Sequence, residues 1–177
     1  KKSLGQNFMH DPNAIEKIAT TADIMPNDTV VEIGPGTGEL TARLAQAARH
    51  VMAIEIDERL EPVLEARFAE TRNVYFVFQD VLKTNIPALV GPNDYLVVAN
   101  VPYYITTAIL EHILSVPQRP KRVVITMQYE VAQRICAAPG DMSLLAVSVQ
   151  YYGKPQIVTK LPPAVFWPRP GINSAVL

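Results

Sequence analysis

Two stretches of the chain concentrate residue types that could do chemistry. Glu32-Ile33-Gly34-Pro35-Gly36-Thr37-Gly38 places a glycine at every second position. Glycine permits positive φ and, having no Cβ, lets a ligand come close to the backbone. The second stretch is Asn100-Val101-Pro102-Tyr103-Tyr104. There the Asn100 side-chain oxygen and the Val101 carbonyl could both accept hydrogens from one amine, Pro102 would stiffen the turn, and Tyr103 could stack on a ring. An amine conjugated to an aromatic ring is a poor nucleophile because its lone pair is delocalised into the ring. Two acceptors would favour the pyramidal form that attacks. No strong general base is needed, since the proton becomes acidic only as the new bond to nitrogen forms.

The ligand of the glycine stretch is narrowed by what is missing. A dinucleotide fingerprint needs Gly-x-Gly-x-x-Gly or Ala, but the third position is Glu39 counted from Gly34 and Thr41 counted from Gly36. A phosphate-cradling loop needs Gly-Lys-Ser/Thr, which is absent. Glu55 stands 21 positions after Gly34, where a carboxylate can accept from both hydroxyls of a ribose. Asp80 closes the next apolar run and could accept from an adenine amino group. Each has a plainer alternative: a glycine turn with no ligand, a solvated strand end at Glu55, a turn cap at Asp80, and a strand merely terminated by Asn-x-Pro-Tyr. His10, His50 and His112 are isolated and read as surface or capping residues, so no metal is expected. Cys136 lies in an apolar pattern with Val131, Ala132 and Ile135 and reads as a small core residue.

These residues need elements to position them. β-branched residues at 29–33 run straight into the glycines, and an Ala/Leu-rich helical pattern follows over 40–48, which predicts strand, tight turn, helix. The helix would turn its N-terminal N–H groups into the same space. Asp11-Pro12 starts a helix with Ile15, Ile18, Ala19 and Ala22 as its buried stripe. Further strands are expected at 51–56, 74–79, 94–99 and 122–127, with helices from about 59–62 to 70, at 106–115 and at 130–138. Residues 85–93 read as a connection, and 144–152 with 156–161 as the two strands of a terminal hairpin. Residues 174–177 look like the start of another strand. Apolar strands alternating with helices predict an α/β fold with a mostly parallel sheet covered on both faces. The candidate polar residues then fall at strand C-terminal ends, where open α/β sheets bind ligands.

A length of 177 residues fits one domain, and 49% hydrophobic with 19% charged residues describes a globular chain. No apolar run reaches the ~18 residues of a membrane helix, no signal-peptide pattern opens the chain, and one cysteine gives no disulfide framework. A cytoplasmic protein is expected. The net charge of −1 conceals an asymmetry: residues 11–111 hold 15 acids and 7 bases, residues 112–177 hold 2 acids and 7 bases. That could form an electropositive face for phosphates or an ordinary solvated surface.

Glu-x-Gly-x-Gly-x-Gly resembles the first motif of Rossmann-like methyltransferases that use S-adenosylmethionine, and Asn-x-Pro-Tyr resembles the motif of enzymes that methylate amino groups of nucleic-acid bases or glutamine. Ser3-Leu4-Gly5-Gln6-Asn7-Phe8 and Phe166-Trp167-Pro168-Arg169-Pro170-Gly171-Ile172-Asn173-Ser174-Ala175-Val176 resemble the opening and closing motifs of ribosomal-RNA adenine N6,N6-dimethyltransferases. The likeness therefore spans the chain. It implies an S-adenosylmethionine-dependent catalytic domain over 1–177 with a seven-stranded sheet, acting without metal. Its partner would be small-subunit ribosomal RNA or the small ribosomal subunit, with no membrane, and a monomer is expected. The implied reaction adds two methyl groups to each of two adjacent adenines near the 3′ end of that RNA.

By the same resemblance, cofactor contacts fall on Asn7, Met9, Gly34, Gly36, Gly38, Glu55, Asp80 and Asn100, and catalytic roles on Asn100, Val101, Tyr103 and Phe166. Tyr103 and Phe166 match an aromatic pair that sandwiches a flipped adenine. Taken alone, Phe166 and Trp167 read equally well as core aromatics. Arg119, Lys121, Arg122, Lys154, Lys160 and Arg169 are candidate phosphate contacts. Three features depart from the family: Tyr104 stands where many relatives have Asn, Trp167 adds bulk beside Phe166, and the small helical domain that follows the catalytic domain is expected to be absent. The large-subunit dimethyltransferases of macrolide resistance share Gln-Asn-Phe and Asn-x-Pro-Tyr, while Asp11-Pro12-Asn13 and Phe-x-Pro-x-Pro favour the small-subunit enzymes. A non-catalytic RNA-binding factor on the same fold is the alternative of another class.

Overall fold

The computed structural model describes residues 7–177. The chain runs β1 (Phe8–Met9), α1 (Pro12–Ala22), β2 (Thr29–Ile33), α2 (Glu39–Ala45), β3 (His50–Glu55), α3 (Glu61–Phe68), β4 (Val74–Phe78), α4 (Ile86–Val90), β5 (Tyr95–Asn100), α5 (Thr106–Ser115), β6 (Arg122–Gln128), α6 (Tyr129–Ile135), α7 (Leu144–Tyr152), β7 (Thr159–Leu161), β8 (Phe166–Trp167) and β9 (Ser174–Val176). Residues 3–6 of the opening motif lie outside the described residues.

Seven strands form one sheet in the order β4-β3-β2-β5-β6-β9-β7. The first five are parallel, and β9 runs antiparallel to both β6 and β7. β2 is buried along its whole length because both faces are covered, which is why it reads as an apolar run rather than an alternation. Its odd and even positions feed different cores. Val31 and Ile33 pack with Val97, Ala99, Ile109 and Ile113 on one face; Val30 packs with Ile18, Leu44, Val51 and Val98 on the other. Each such valine, leucine or isoleucine, fully buried, contributes about 1.5–3 kcal/mol. After β2 the chain winds outward through β3 and β4, then returns to the other side for β5 and β6. Ile33 lies opposite both Ile54 and Ala99, so Gly34, Glu55 and Asn100 emerge together at that reversal.

Short local signals set several boundaries as expected. The Asp11 carboxylate accepts from the Ala14 N–H at 2.8 Å and Pro12 occupies the first turn of α1, where its missing donor costs nothing. Asn85-Ile86-Pro87 repeats the device: Asn85 accepts from the Ala88 N–H at 3.1 Å and starts α4, so the expected connection over 85–93 contains a short helix.

The expected terminal hairpin does not form. Residues 144–152 are α7, started by Ser143, whose hydroxyl accepts from the Ala146 N–H at 3.3 Å. Ala146 and Val149, three apart, face the core, and α7 packs against α5 and α6. The Gln150 amide donates to the Ile135 and Ala137 carbonyls at 2.8 and 2.9 Å, closing the end of α6. A short apolar run containing valines fits strand and helix alike, and tertiary contacts decide between them. The strand expected at 156–161 shortens to β7 and pairs with β9.

Candidate active site

The glycine loop is shaped by the protein's own groups. Gly34 has φ +75°, and a Cβ there would stand 3.1 Å from both the Asn100 carbonyl oxygen and Val101 Cγ1. Gly38 has φ +85°, and a Cβ would come within 2.6 Å of the Phe68 ring. The close approaches assigned to a ligand from sequence are therefore made, at these positions, by the reacting corner and by α3. Gly34 donates its N–H to the Ile54 carbonyl at 3.0 Å, holding the loop against the end of β3.

Glu55 completes that attachment. One carboxylate oxygen accepts from the Gly36 N–H at 3.1 Å and the other from the Asp57 N–H at 2.9 Å. Burial raises its pKa, the backbone donors from Asp57 and Gly36 oppose the rise, and the Asp57 charge adds to it. Each oxygen keeps a lone pair for a further donor. Asp57 itself is held low by Arg59, which binds its carboxylate. Glu32, on β2 between Ala53 and Val98, is 1% exposed and neither carboxyl oxygen has a hydrogen-bond partner. Burial pushes its pKa up to about 8. Thr41 lies near enough to oppose that rise without making a hydrogen bond, and the Glu55 charge adds to it. Asp80 caps the turn Val81–Lys83, accepting from the Leu82 N–H at 3.0 Å, so the plainer sequence alternative describes one of its oxygens.

A cleft over the C-terminal ends of β2, β3, β4 and β5 brings together Asn7, Met9, Gly34, Gly36, Glu55, Asp80, Asn100 and Val101. Gly38 lies outside its lining, as the first-turn partner of Phe68. The cleft also includes residues the motifs did not single out, among them Thr37, Ile56, Gln79 and Val81. Ile56, expected within the strand at 51–56, falls just beyond the end of β3 and is exposed, which the sequence did not signal. Tyr104 lines the cleft and is largely exposed.

Tyr103 and Phe166 are not brought together as an open clamp. Tyr103 is half-buried, with its hydroxyl 2.5 Å from the Ser174 hydroxyl on β9. Phe166 is 2% exposed and packs in the core with Met9, Ile15 and Val165, so it presents no free ring face. The β-strand alternation that turns Phe166 inward turns Trp167 outward, at 71% exposure. Among the expected phosphate contacts, Lys121 pairs with Asp94 and Arg122 with Asp23, each at 3.0 Å. Arg119 lies over the Tyr152 ring and Lys160 over the Tyr129 ring. Lys154 and Arg169 are exposed. Cys136 is partly buried and burial raises its thiol pKa. His112 caps internally, 3.0 Å from the Thr84 carbonyl.

This layout, with the glycine loop and the Asn-x-Pro-Tyr corner on adjacent parallel strands of a seven-stranded sheet, is that of the Rossmann-like methyltransferases that use S-adenosylmethionine. The chain belongs to the ribosomal RNA adenine dimethylase family, whose model matches residues 1–177. It is 48% identical over 188 residues to a ribosomal RNA small subunit methyltransferase A of Moorella thermoacetica, covering all of this chain and 65% of that protein. The corresponding protein of Lactiplantibacillus plantarum is 45% identical over 184 residues, with 100% and 62% covered. Thus the chain spans about three fifths of the length of the curated relatives it matches. Among solved structures it resembles the 23S rRNA methyltransferase ErmE, with a TM-score of 0.85 and 32% identity over 96% of this chain and 68% of that one. A dimethyladenosine transferase from Plasmodium falciparum also gives 0.85, with 29% identity over 96% and 61%. Among the described residues no helix is long and apolar enough to cross a membrane, and no group of three His, Cys, Asp or Glu could hold a metal ion.

Proposed function

We propose that this chain is the catalytic domain of an S-adenosylmethionine-dependent ribosomal-RNA adenine N6,N6-dimethyltransferase acting on adjacent adenosines near the 3′ end of small-subunit RNA. The observation that carries the reading is the abutment of Gly34 on the Asn100 carbonyl and the Val101 side chain, which sets a cofactor loop directly beside a pair of amine acceptors. The cleft residues fit the cofactor: Glu55 and Asp80 are acceptors for hydroxyls and an amino group, and Ile56 and Val81 are apolar surface for a ring. Asn7 and Met9 close the same cleft, Met9 from β1. When bound, S-adenosylmethionine supplies a methyl group on a sulfonium that is already an activated electrophile.

The chain's own residues then position and polarise the acceptor. Asn100 Oδ1 and the Val101 carbonyl accept the hydrogens of the adenine amine and favour its pyramidal form. Gly34 sets the distance between that corner and the cofactor loop, so reaction is promoted mainly by orientation. Tyr103, held through its hydroxyl by Ser174, lies outside the cleft lining and fixes the corner that carries Asn100 and Val101. Phe166 keeps the supporting position that its burial gives it. The greater similarity to the small-subunit enzymes supports the small-subunit substrate over the large-subunit one.

The test is methyl transfer by the full-length protein from radiolabelled S-adenosylmethionine to unmethylated small ribosomal subunits and, in parallel, to free large-subunit RNA, followed by nucleoside analysis. N6,N6-dimethyladenosine in the small subunit is expected. Label confined to large-subunit RNA would transfer the chain to the resistance-type reaction, and cofactor binding with no label in either would leave a non-catalytic RNA-binding factor.

A further inference from the structure

Asn100 has a neighbour that no motif predicts. Thr126 stands directly opposite it in the parallel register of β5 and β6 and is 1% exposed. Its hydroxyl donates to Asn100 Oδ1 at 2.7 Å, with the Ala99 carbonyl 3.4 Å away as a second acceptor. A threonine in a buried strand position needs no hydroxyl for packing, since valine has the same shape. Its polar group therefore matters to whatever it binds, and the partner is the half-buried carboxamide of Asn100, a residue that lines the cleft.

The chemistry of that contact has two settings. A hydroxyl carries one proton and can also accept. With its proton on Asn100 Oδ1, the amide oxygen is engaged by β6 and the NH2 end is the one turned away from Thr126. If the amide turns over, Nδ2 donates to Thr126 Oγ1, the hydroxyl proton goes to the Ala99 carbonyl, and Oδ1 is released toward the cleft. Both settings keep the buried hydroxyl satisfied, which a purely donating or purely accepting group could not do.

We propose that Thr126 is a positioning residue for the target amine: it holds the Asn100 carboxamide at the mouth of the cleft and lets its oxygen turn to the amine without leaving a buried group unpaired. This rests on the reading of Asn100 as an amine acceptor. It makes the orientation of the Asn100 amide, rather than its presence alone, a determinant of the transfer rate.

The experiment compares Thr126→Val and Thr126→Ser in the full-length protein. Thr126→Val should lower kcat about tenfold, while KM for the RNA and the Kd for S-adenosylmethionine change by less than about twofold. Thr126→Ser, which keeps the hydroxyl, should stay within about threefold of wild type. Turnover of Thr126→Val at the wild-type rate, with Asn100→Ala inactive, overturns the proposal and leaves the functional reading standing. Equal impairment of both variants also overturns it, because packing rather than the hydroxyl would be responsible. A readout independent of catalysis is the pair of side-chain amide lines of Asn100 in a 15N–1H correlation spectrum. They should be dispersed in wild type and Thr126→Ser and collapse toward free-amide positions in Thr126→Val. If wild type already has free-amide lines, the anchoring is absent and the proposal fails. If wild type transfers no methyl group, the functional reading fails, and these lines still decide whether Thr126 holds Asn100.

Discussion

At the ends of β2 and β3 the polar groups are tied to the protein itself, whereas the groups of the C-terminal third that suit a partner stand at the surface. Glu55 holds the Gly36 and Asp57 N–H groups, Gly34 is bound to Ile54, and Phe68 fills the space beside Gly38. In the C-terminal third of the chain Trp167, Lys154 and Arg169 are exposed, Trp167 beside Thr37 and Glu39 near the glycine loop and Lys154 beside Lys121 and Arg122 at the start of β6, and residues 112–177 carry 7 of the bases against 2 acids. The contrast suits a small ligand held in the cleft and a large polyanion met by the exposed groups. A small cofactor gains most from a prearranged site, while a charged, stacking surface serves a nucleic acid that brings its own shape.

The largest test of this contrast is on the prearranged side. Glu32 holds a proton in the folded state, with a pKa near 8, that the unfolded chain releases near 4.5. Stability from this group is complete below about pH 4.5, falls as pH rises toward 8, and is flat above, by up to about 5 kcal/mol. Denaturant unfolding between pH 5 and 8 should therefore show a slope that Glu32→Gln removes. An unchanged slope would mean that Glu32 is ionised and paired. Phe166→Ala should cost about 3–5 kcal/mol of stability, as a buried aromatic does. A cost under about 1 kcal/mol would return the ring to a stacking role. Asn100→Ala should cut methyl transfer by about 100-fold or more with the fold intact by circular dichroism. Tyr103→Phe should cost about 1 kcal/mol of stability through the lost Ser174 hydrogen bond, with Ser174→Ala similar and the double variant less than additive. Trp167→Ala should change stability by less than about 0.5 kcal/mol. Trp167 is also the one tryptophan in the chain, so its emission should shift on adding small-subunit RNA; emission indifferent to RNA would remove Trp167 from the interface.

Neighbouring residues in that set show where sequence reading succeeds and fails. Asp11-Pro12 predicted the start of α1 because a cap and a fixed φ act within four residues. Asn85-Ile86-Pro87 carried the same kind of signal, but Pro87, Gly91 and Pro92 read as a connection. Residues 144–152 misled more deeply: their apolar run satisfies either period, and only packing against α5 and α6 selects α7. Phe166 and Trp167 are adjacent aromatics of similar chemistry, and nothing local says which one the pleat turns inward.

What the amino-acid sequence determined by itself was the alternation of buried strands with helices, and hence a mostly parallel sheet with Gly34, Glu55, Asp80 and Asn100 at its strand ends. These follow from local spacing, since burial on both faces and the turn after a strand are properties of a few consecutive residues. Only the tertiary structure decided that Gly34 abuts Asn100, that Thr126 lies opposite Asn100, and that Tyr103 reaches Ser174. Each of those contacts joins residues more than 25 positions apart. Their partners are set by strand order and register, which arise when the whole sheet packs and leave no trace in the spacing of one segment.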